Sequence, residues 1–158
     1  MIGIDPGLAG TGLGVVSGDG GLPVKYAFGS ISTDKNQPLS RRLDHIYART
    51  LDFLAGEKPD LVVIEDIFTL DKFPRSGVLL GKVAGVLMVA AFRAGAVIEE
   101  ISVREAKKLV SGSGSADKFQ VEKSVRNLLN HDQKIRPFHA SDALALAISG
   151  YYRSFRKK

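Results

Sequence analysis

The chain has 158 residues, a length that suits one compact domain and leaves no room for a second. Hydrophobic residues make up 44% of it and charged residues 25%, which excludes collagen-like, mucin-like and wholly disordered proteins. The lack of cysteine excludes disulfide scaffolds, thiolate zinc sites and cysteine nucleophiles, and it favours a cytoplasmic protein. A net charge of +5 favours polyanionic partners.

Hydrophobic periodicity predicts ten secondary-structure elements. Apolar runs between turn-forming residues predict strands, and apolar residues that recur at helical spacing predict helices. The second and third strands are expected to form a hairpin, and the fourth, a continuous apolar run, is expected to be central with a parallel neighbour. The order predicts an α/β fold with a mixed five-stranded sheet flanked by helices. The predicted strands are 2–4, 12–16, 24–31, 61–64 and 97–101, and the predicted helices are 39–54, 77–94, 104–110, 118–129 and 140–152.

The longest apolar stretch, 78–98, resembles a membrane span only at first sight. Lys82 and Arg93 interrupt it, so it lacks the ~20 apolar residues that a span requires, and we expect a buried helix. The first five residues contain no basic segment of the kind that opens a signal peptide. The basic tail, 153–158, is expected to be solvated. These features predict a soluble single domain spanning 1–158, with no membrane partner.

Two carboxylates follow predicted strands. Asp5 ends the first strand and Glu65 ends the fourth, so both lie at one edge of the sheet if these strands are parallel neighbours. Paired carboxylates at one edge are typical of a metal site. Read alone, each residue is equally well explained as a cap of a turn or helix. The pair favours the metal site.

A third acidic position lies near the C-terminus. His139 and Asp142 are three residues apart, which places them on one face at the start of the last helix. Read alone, this segment favours a helix N-cap, a common role for aspartate. Together with the two strand-end carboxylates, it indicates a further pair of ligands.

Several glycines follow the first strand. Gly7, Gly10, Gly12 and Gly14 do not form a P-loop, because its lysine and its strand–turn–helix context are missing. Their expected role is steric, because a chain without side chains beside Asp5 lets a bulky ligand such as a nucleic-acid backbone approach.

Four segments give the chain a resemblance to a known family over nearly its whole length. They are 3–7 (GIDPG), 64–68 (IEDIF), 112–118 (GSGSADK) and 140–145 (ASDALA). With them the chain resembles the RuvC-type Holliday-junction resolvases. The resemblance implies a ribonuclease-H-like fold, a homodimer and Mg²⁺-dependent, paired symmetric nicking of four-way junction DNA in recombination and repair. It also implies a branch-migration motor complex as a partner.

The resemblance implies four ligands for two metal ions, namely Asp5, Glu65, His139 and Asp142. Many relatives have aspartate where His139 stands, so this site carries one fewer negative charge. Imidazole is a softer ligand than carboxylate, so His139 should favour Mn²⁺ as a substitute for Mg²⁺ and should lose metal as it protonates.

Basic and aromatic residues complete the implied site. Lys107 and Lys118 match family positions for DNA contact and activity, and Lys118 is counted among the catalytic residues. Phe68 matches the aromatic residue that inserts into the junction, and Phe73 and Arg75 lie on the same loop. The alternative interpretation of each lysine is a solvated surface residue. The alternative interpretation of each phenylalanine is core packing.

The glycine-containing helix, 77–94, corresponds to the one that forms much of the family's dimer contact. An alternative interpretation of Gly81 and Gly85 is that they let this helix lie close on the sheet. A two-fold dimer suits the function, because it places two identical sites on two symmetry-related strands.

Three other functions share parts of this sequence pattern. Another ribonuclease-H-like nuclease would cut RNA or other branched DNA, and a non-catalytic module would bind junctions with or without Mg²⁺. An actin-like ATPase is excluded by length, since it needs two such domains.

Overall fold

The computed structural model describes residues 1–67 and 74–156. All ten predicted elements are present, with ends shifted by a few residues at most. The strands are β1 (Ile2–Asp5), β2 (Gly10–Ser17), β3 (Lys25–Ser32), β4 (Leu61–Glu65) and β5 (Val97–Ile101). The helices are α1 (Leu39–Glu57), α2 (Pro74–Arg93), α3 (Val103–Ser111), α4 (Lys118–Leu128) and α5 (Phe138–Arg156).

The five strands form one mixed sheet in the order β3-β2-β1-β4-β5. β1, β2 and β3 are antiparallel neighbours, whereas β4 lies parallel to both β1 and β5. The predicted hairpin and the parallel neighbour of β4 are therefore confirmed. The prediction that β4 is the central strand is wrong in detail, because β1 takes the middle position and β4 lies beside it.

Helices cover the sheet on both faces. Ile2 and Ile4 of β1 point to one face, where they pack with α1 and α2 residues such as Ile46 and Leu87. Side chains alternate along a strand, so Gly3 and Asp5 point to the opposite face. There α5 crosses the sheet and packs with α3 and α4. This alternation decides which helix Asp5 meets.

The glycines of β1 and β2 lie under α5. A Cβ atom on Gly12 would overlap the carbonyl oxygen of His139, and one on Gly14 would lie 2.6 Å from the backbone nitrogen of Leu144. A Cβ on Gly3 would likewise overlap α5. The expectation that Gly12 and Gly14 admit a bulky ligand is therefore wrong, because α5 already occupies the space that their missing side chains leave.

Helix α2 is buried on one side only, which corrects the expectation of a buried helix. Val83 and Leu87 are fully buried, whereas Val89 and Phe92 are exposed. By length and composition, residues 75–93 would suffice to cross a membrane, and 33% of that window is buried inside the protein. The buried side belongs to the core of the domain.

The basic tail is described as far as Arg156. Up to that residue it continues α5 as a helix. Arg153 forms an ion pair with Glu105 of α3, with a nitrogen–oxygen distance of 3.6 Å.

Candidate active site

The carboxyl ends of β1 and β4 bring Asp5 and Glu65 to the same edge of the sheet. The parallel register pairs Ile4 with Ile64, so the next residue of each strand is the carboxylate. Val63 contacts Leu146 of α5 in a small core cluster, and Glu65 shares the face of Val63 because of the strand alternation. Both carboxylates therefore face α5, and they lie at one edge of the sheet, as the sequence predicts if these strands are parallel neighbours.

The first two turns of α5 supply the other two predicted ligands. The imidazole Nδ1 of His139 donates a hydrogen bond to Asp5 Oδ2 over 2.6 Å. Asp142 lies one turn further along the helix and is close enough for its charge to act on Glu65. Since α5 begins at Phe138, Asp142 is the fifth helical residue, so the N-cap interpretation of Asp142 is wrong.

The electrostatics show three carboxylates crowded into a partly buried space. Burial, the charge of Asp5 and a hydrogen bond with Asp5 raise the pKa of Glu65 from 4.5 to about 8. Burial and the charge of Asp5 raise the pKa of Asp142 from 3.8 to about 6. The hydrogen bond with Asp5 raises the pKa of His139. The protein's own cations therefore leave part of the negative charge uncompensated.

This donor set fits a divalent cation in charge and in chemistry. Three carboxylates and one imidazole are hard or borderline ligands, and a cation would stabilise the ionised forms of Glu65 and Asp142, which burial and the charge of Asp5 disfavour. Within residues 1–67 and 74–156, no three Asp, Glu or His side chains stand close enough together to hold one ion as they are placed. Side-chain rotations would have to bring them together.

Two lysines lie beside the carboxylates. Lys107 of α3 and Lys118 of α4 line a cavity of about 210 Å³ together with Glu65 and Asp142. The charge of Lys107 opposes the rise in the pKa of both carboxyl groups. The structure thus brings both predicted lysines to the sheet edge beside Asp5, Glu65 and Asp142, which we call the acidic edge.

A helix cap fixes the position of Lys118. Asp117 is the N-cap of α4 and accepts hydrogen bonds from the backbone nitrogens of Phe119 and Gln120. The side chain of Gln120 accepts in turn from the backbone nitrogen of Asp117, which completes a capping box. Lys118 therefore begins α4 at a well-defined position.

The predicted loop residues are only partly described. Phe68 and Phe73 lie outside the described residues. Arg75 is exposed in the first turn of α2.

The sequence did not indicate how the Pro6–Ala9 loop after Asp5 is held. Arg42 of α1 donates to Thr33 Oγ1 over 2.8 Å and to the carbonyl oxygen of Leu8 over 3.1 Å. Gly7 and Gly10 at the ends of this loop lie beside the ring of His139. The amphipathic pattern of α1 marks Arg42 as polar, but no spacing rule connects it with a carbonyl group 34 residues away.

The chain is similar to known proteins along almost its full length. The family model described as crossover junction endodeoxyribonuclease RuvC matches residues 1–150. A protein of that name from Rubrobacter xylanophilus is 35% identical over 148 residues, which is 94% of this chain and 82% of that protein. One of the same name from Salinispora arenicola is 37% identical over 154 residues, covering 97% of this chain and 87% of the other.

Two solved structures agree with the sequence comparison. Thermus thermophilus RuvC superposes with a TM-score of 0.84 at 31% identity, over 98% of this chain and 95% of the other. T. thermophilus RuvC in complex with a Holliday-junction substrate gives a TM-score of 0.90 at 30% identity, over 99% and 94%. The fold is ribonuclease-H-like, as predicted. The chain belongs to the RuvC family of crossover junction endodeoxyribonucleases, which are metal-dependent.

Proposed function

We propose that this protein is a metal-dependent endodeoxyribonuclease that resolves four-way DNA junctions by paired symmetric nicks during recombination and repair. The observation that carries the proposal is the meeting of Asp5, Glu65, His139 and Asp142 at one sheet edge. Family membership supplies the substrate class, since a relative of the same fold has been solved with a Holliday-junction substrate. No nucleophilic serine or cysteine is needed for this hydrolysis.

The proposed metal ligands are the four site residues Asp5, Glu65, His139 and Asp142. The proposed ions are two Mg²⁺, for which Mn²⁺ can substitute. Bound ions would activate a water molecule and stabilise the leaving 3′-oxygen of a phosphodiester. Asp5 and Glu65 supply hard anionic oxygens from rigid strand ends, and Asp142 and His139 supply donors from α5. The raised pKa values of Glu65 and Asp142 support this assignment, because a bound cation would offset both of their causes, first the burial of each carboxylate and then the charge of Asp5.

The proposed DNA contacts surround this edge. Lys107 and Lys118 can neutralise phosphates next to the scissile bond, and their shared cavity with Glu65 and Asp142 supports that role. We assign the catalytic lysine role to Lys118. The segment with Phe68, Phe73 and Arg75 is proposed to contact the junction, on the strength of its sequence alone.

We also propose a homodimer that is formed through α2. Val78, Gly81, Gly85, Val89 and Phe92 follow each other at steps of three or four residues, so they form one stripe along the helix. The three large side chains are exposed, and no atom of the described residues lies within 4 Å of a Cβ added at either glycine. Packing against the sheet is therefore not why Gly81 and Gly85 lack side chains.

The remaining parts of the proposal concern the setting of the protein. We propose that the chain works as one soluble nuclease domain over 1–158 in the cytoplasm. Cooperation with a branch-migration motor complex follows from the family alone.

A cleavage assay tests the proposed function. The purified protein is incubated with Mg²⁺ and with one of three labelled nucleic acids: a four-way DNA junction, a DNA duplex or an RNA–DNA hybrid. We expect paired nicks at symmetry-related positions of the junction alone. Preferential cutting of the hybrid would instead indicate a nuclease that acts on RNA. Equal junction binding with and without Mg²⁺, with no cleavage under any condition, would indicate a non-catalytic module.

A further inference from the structure

Four side chains at the beginnings of α4 and α5 form a group that we call the aromatic–cation cluster: Lys118, Phe119, Arg136 and Phe138. The rings of Phe119 and Phe138 meet edge to face, with centroids 5.1 Å apart. The Arg136 guanidinium lies 4.0 Å from the Phe138 centroid, and the Lys118 ammonium lies 4.9 Å from it. Two cations and two aromatic rings are thus in direct contact.

The cluster borders the proposed active site on two sides. Phe138 directly precedes His139, which is hydrogen-bonded to Asp5. Lys118 lines the cavity that also contains Glu65 and Asp142. A DNA strand whose phosphate reaches the carboxylates would therefore pass the cluster.

Core packing does not account for the exposure of Phe119. Helix α4 contributes Val121 and Val125 to the core, and both are almost fully buried. Phe119 is 58% exposed, although it lies in the first turn of the same helix. A large aromatic side chain that stays this exposed beside two cations has apolar surface available for a ligand.

The positive charge of the cluster is only weakly compensated. Arg126 Nε forms a close ion pair with Glu122 Oε1 at 2.8 Å. Arg136 Nη1 lies 3.9 Å from the same oxygen. The guanidinium of Arg136 is instead stacked on Phe138. An anion could bind to it without breaking a close ion pair.

We propose that the aromatic–cation cluster is a nucleotide-binding surface for the DNA strand that enters the active site. A base stacks on Phe119, and Lys118 and Arg136 contact the phosphates on either side. Aromatic rings beside cations bind unpaired nucleotides in this way, through stacking and through phosphate neutralisation. This inference rests on the proposed function and extends it by naming where an unpaired base next to the cleavage site is held.

A structural explanation competes with this one. The two rings and two cations could serve only to join the starts of α4 and α5, in which case Phe119 contributes to folding and not to DNA binding. A purely structural Phe119 predicts that a correctly folded Phe119→Leu variant binds DNA like the wild type, whereas a stacking Phe119 predicts weaker binding. The salt dependence then separates stacking from phosphate contacts. Stacking contributes the same factor at every salt concentration, whereas each phosphate contact contributes about one unit to the slope of log K against log salt.

The test measures equilibrium binding of a fluorescent synthetic four-way junction in EDTA, where no cleavage occurs, over a range of salt concentrations. The variants are Phe119→Leu, which keeps an apolar side chain, Phe119→Tyr, which keeps an aromatic ring, and Arg136→Gln. The control is Leu22→Ala, because Leu22 is 60% exposed but lies in the β2–β3 turn at the opposite edge of the sheet. Thermal unfolding of every variant is measured in parallel.

We expect Phe119→Leu to weaken junction binding on the order of ten-fold with an unchanged salt slope. Phe119→Tyr and Leu22→Ala should bind like the wild type. Arg136→Gln should reduce the salt slope by about one. Wild-type affinity for a correctly folded Phe119→Leu variant would overturn the proposal, and so would an equal loss in Phe119→Tyr.

A duplex of equal length separates this inference from the proposed function. If the wild type binds junction and duplex equally, the junction-specific function is contradicted. The cluster proposal is then judged with a single-stranded oligonucleotide, for which Phe119→Leu must again weaken binding.

Discussion

His139 Nδ1 and Asp5 Oδ2 lie 2.6 Å apart, so a proton between them joins the first turn of α5 to the end of β1. The neighbouring carboxyl group of Glu65 also retains its proton to about pH 8, because burial and the charge of Asp5 raise its pKa. Protons therefore occupy the acidic edge where the proposed cations would bind. Metal binding has to displace them, which makes metal affinity dependent on pH.

The first prediction concerns catalysis. Asp5→Asn and Glu65→Gln should each abolish junction cleavage, because a neutral amide keeps the shape of the side chain but is a poor ligand for a hard cation. Junction affinity, measured by gel shift or fluorescence, should stay within a few-fold of the wild type. If affinity falls as severely as cleavage, these residues are structural rather than catalytic.

The second prediction concerns the stability of the metal-free protein. The folded-state pKa of Glu65 is raised from 4.5 to about 8, so the folded protein binds a proton that the unfolded chain releases in this range. The free energy of unfolding should therefore decrease as pH rises from about 4.5 to about 8. Glu65→Gln removes this effect, so in EDTA it should be more stable than the wild type near pH 8 by on the order of 3 kcal/mol.

Urea denaturation at about pH 5 and about pH 8.5 measures this difference. Glu57→Gln is the matched control, because Glu57 is an exposed glutamate at the end of α1. A Glu65→Gln variant with the same pH dependence as the wild type would show that the carboxyl group is already ionised at neutral pH.

Much of this site follows from strand alternation. The apolar run of β4 predicted a parallel neighbour without naming it, and the observed pairing with β1 places Asp5 and Glu65 side by side. The face was predictable too, because Gly3 and Asp5 are two residues apart. The sequence pattern did not show that α5 fills the space above Gly12 and Gly14, since a glycine marks a close approach without naming what approaches.

Two contacts beside the site were beyond sequence patterns. The stacking of Arg136 on Phe138 depends on the path of the chain between α4 and α5. The hydrogen bond from Arg42 to the carbonyl oxygen of Leu8 joins a helix to a loop. Neither has a characteristic spacing, because both form only after the helices have packed on the sheet.

The third prediction tests the packing of α5 on the hairpin. A Cβ atom on Gly12 would overlap the backbone of His139, so Gly12→Ala must displace the start of α5 or unfold the protein. We expect a loss of at least ~2 kcal/mol in the free energy of unfolding and a loss of cleavage. Gly29→Ala in the neighbouring strand is the control, because nothing lies within 4 Å of its added Cβ. Equal stability of both variants would contradict this packing.

The fourth prediction tests the proposed dimer. Val89→Lys places a charge in the middle of the exposed stripe of α2, and burying it in an interface would be costly. We expect sedimentation equilibrium to show a monomer for this variant and a dimer for the wild type. Cleavage should change from paired nicks to single nicks. Val24→Lys, at another exposed valine in the β2–β3 turn, should remain a dimer with paired nicking.

The fifth prediction concerns His139 and its proton. If His139 is a metal ligand, its imidazole must be in the neutral form, and the hydrogen bond to Asp5 raises the pKa above which this form predominates. Activity in Mg²⁺ should therefore fall as pH drops, beginning above the ordinary imidazole value of ~6.5, and Mn²⁺ should partly compensate. His139→Asp should stay active and shift this fall to lower pH, because a carboxylate remains ionised where imidazole protonates.

His139→Ala separates the ligand role from a structural one. It removes one donor and should lose most of the single-turnover nicking rate in both metals, measured on one junction from about pH 5.5 to about pH 8.5. If His139 only orients the start of α5, the alanine variant should nick at nearly the wild-type rate once metal is saturating. The pH profile decides the matter where rates alone do not. If a metal ligand titrates, the metal concentration that gives the half-maximal rate rises as pH falls. The part of this rise that protonation of His139 causes should be absent from His139→Ala.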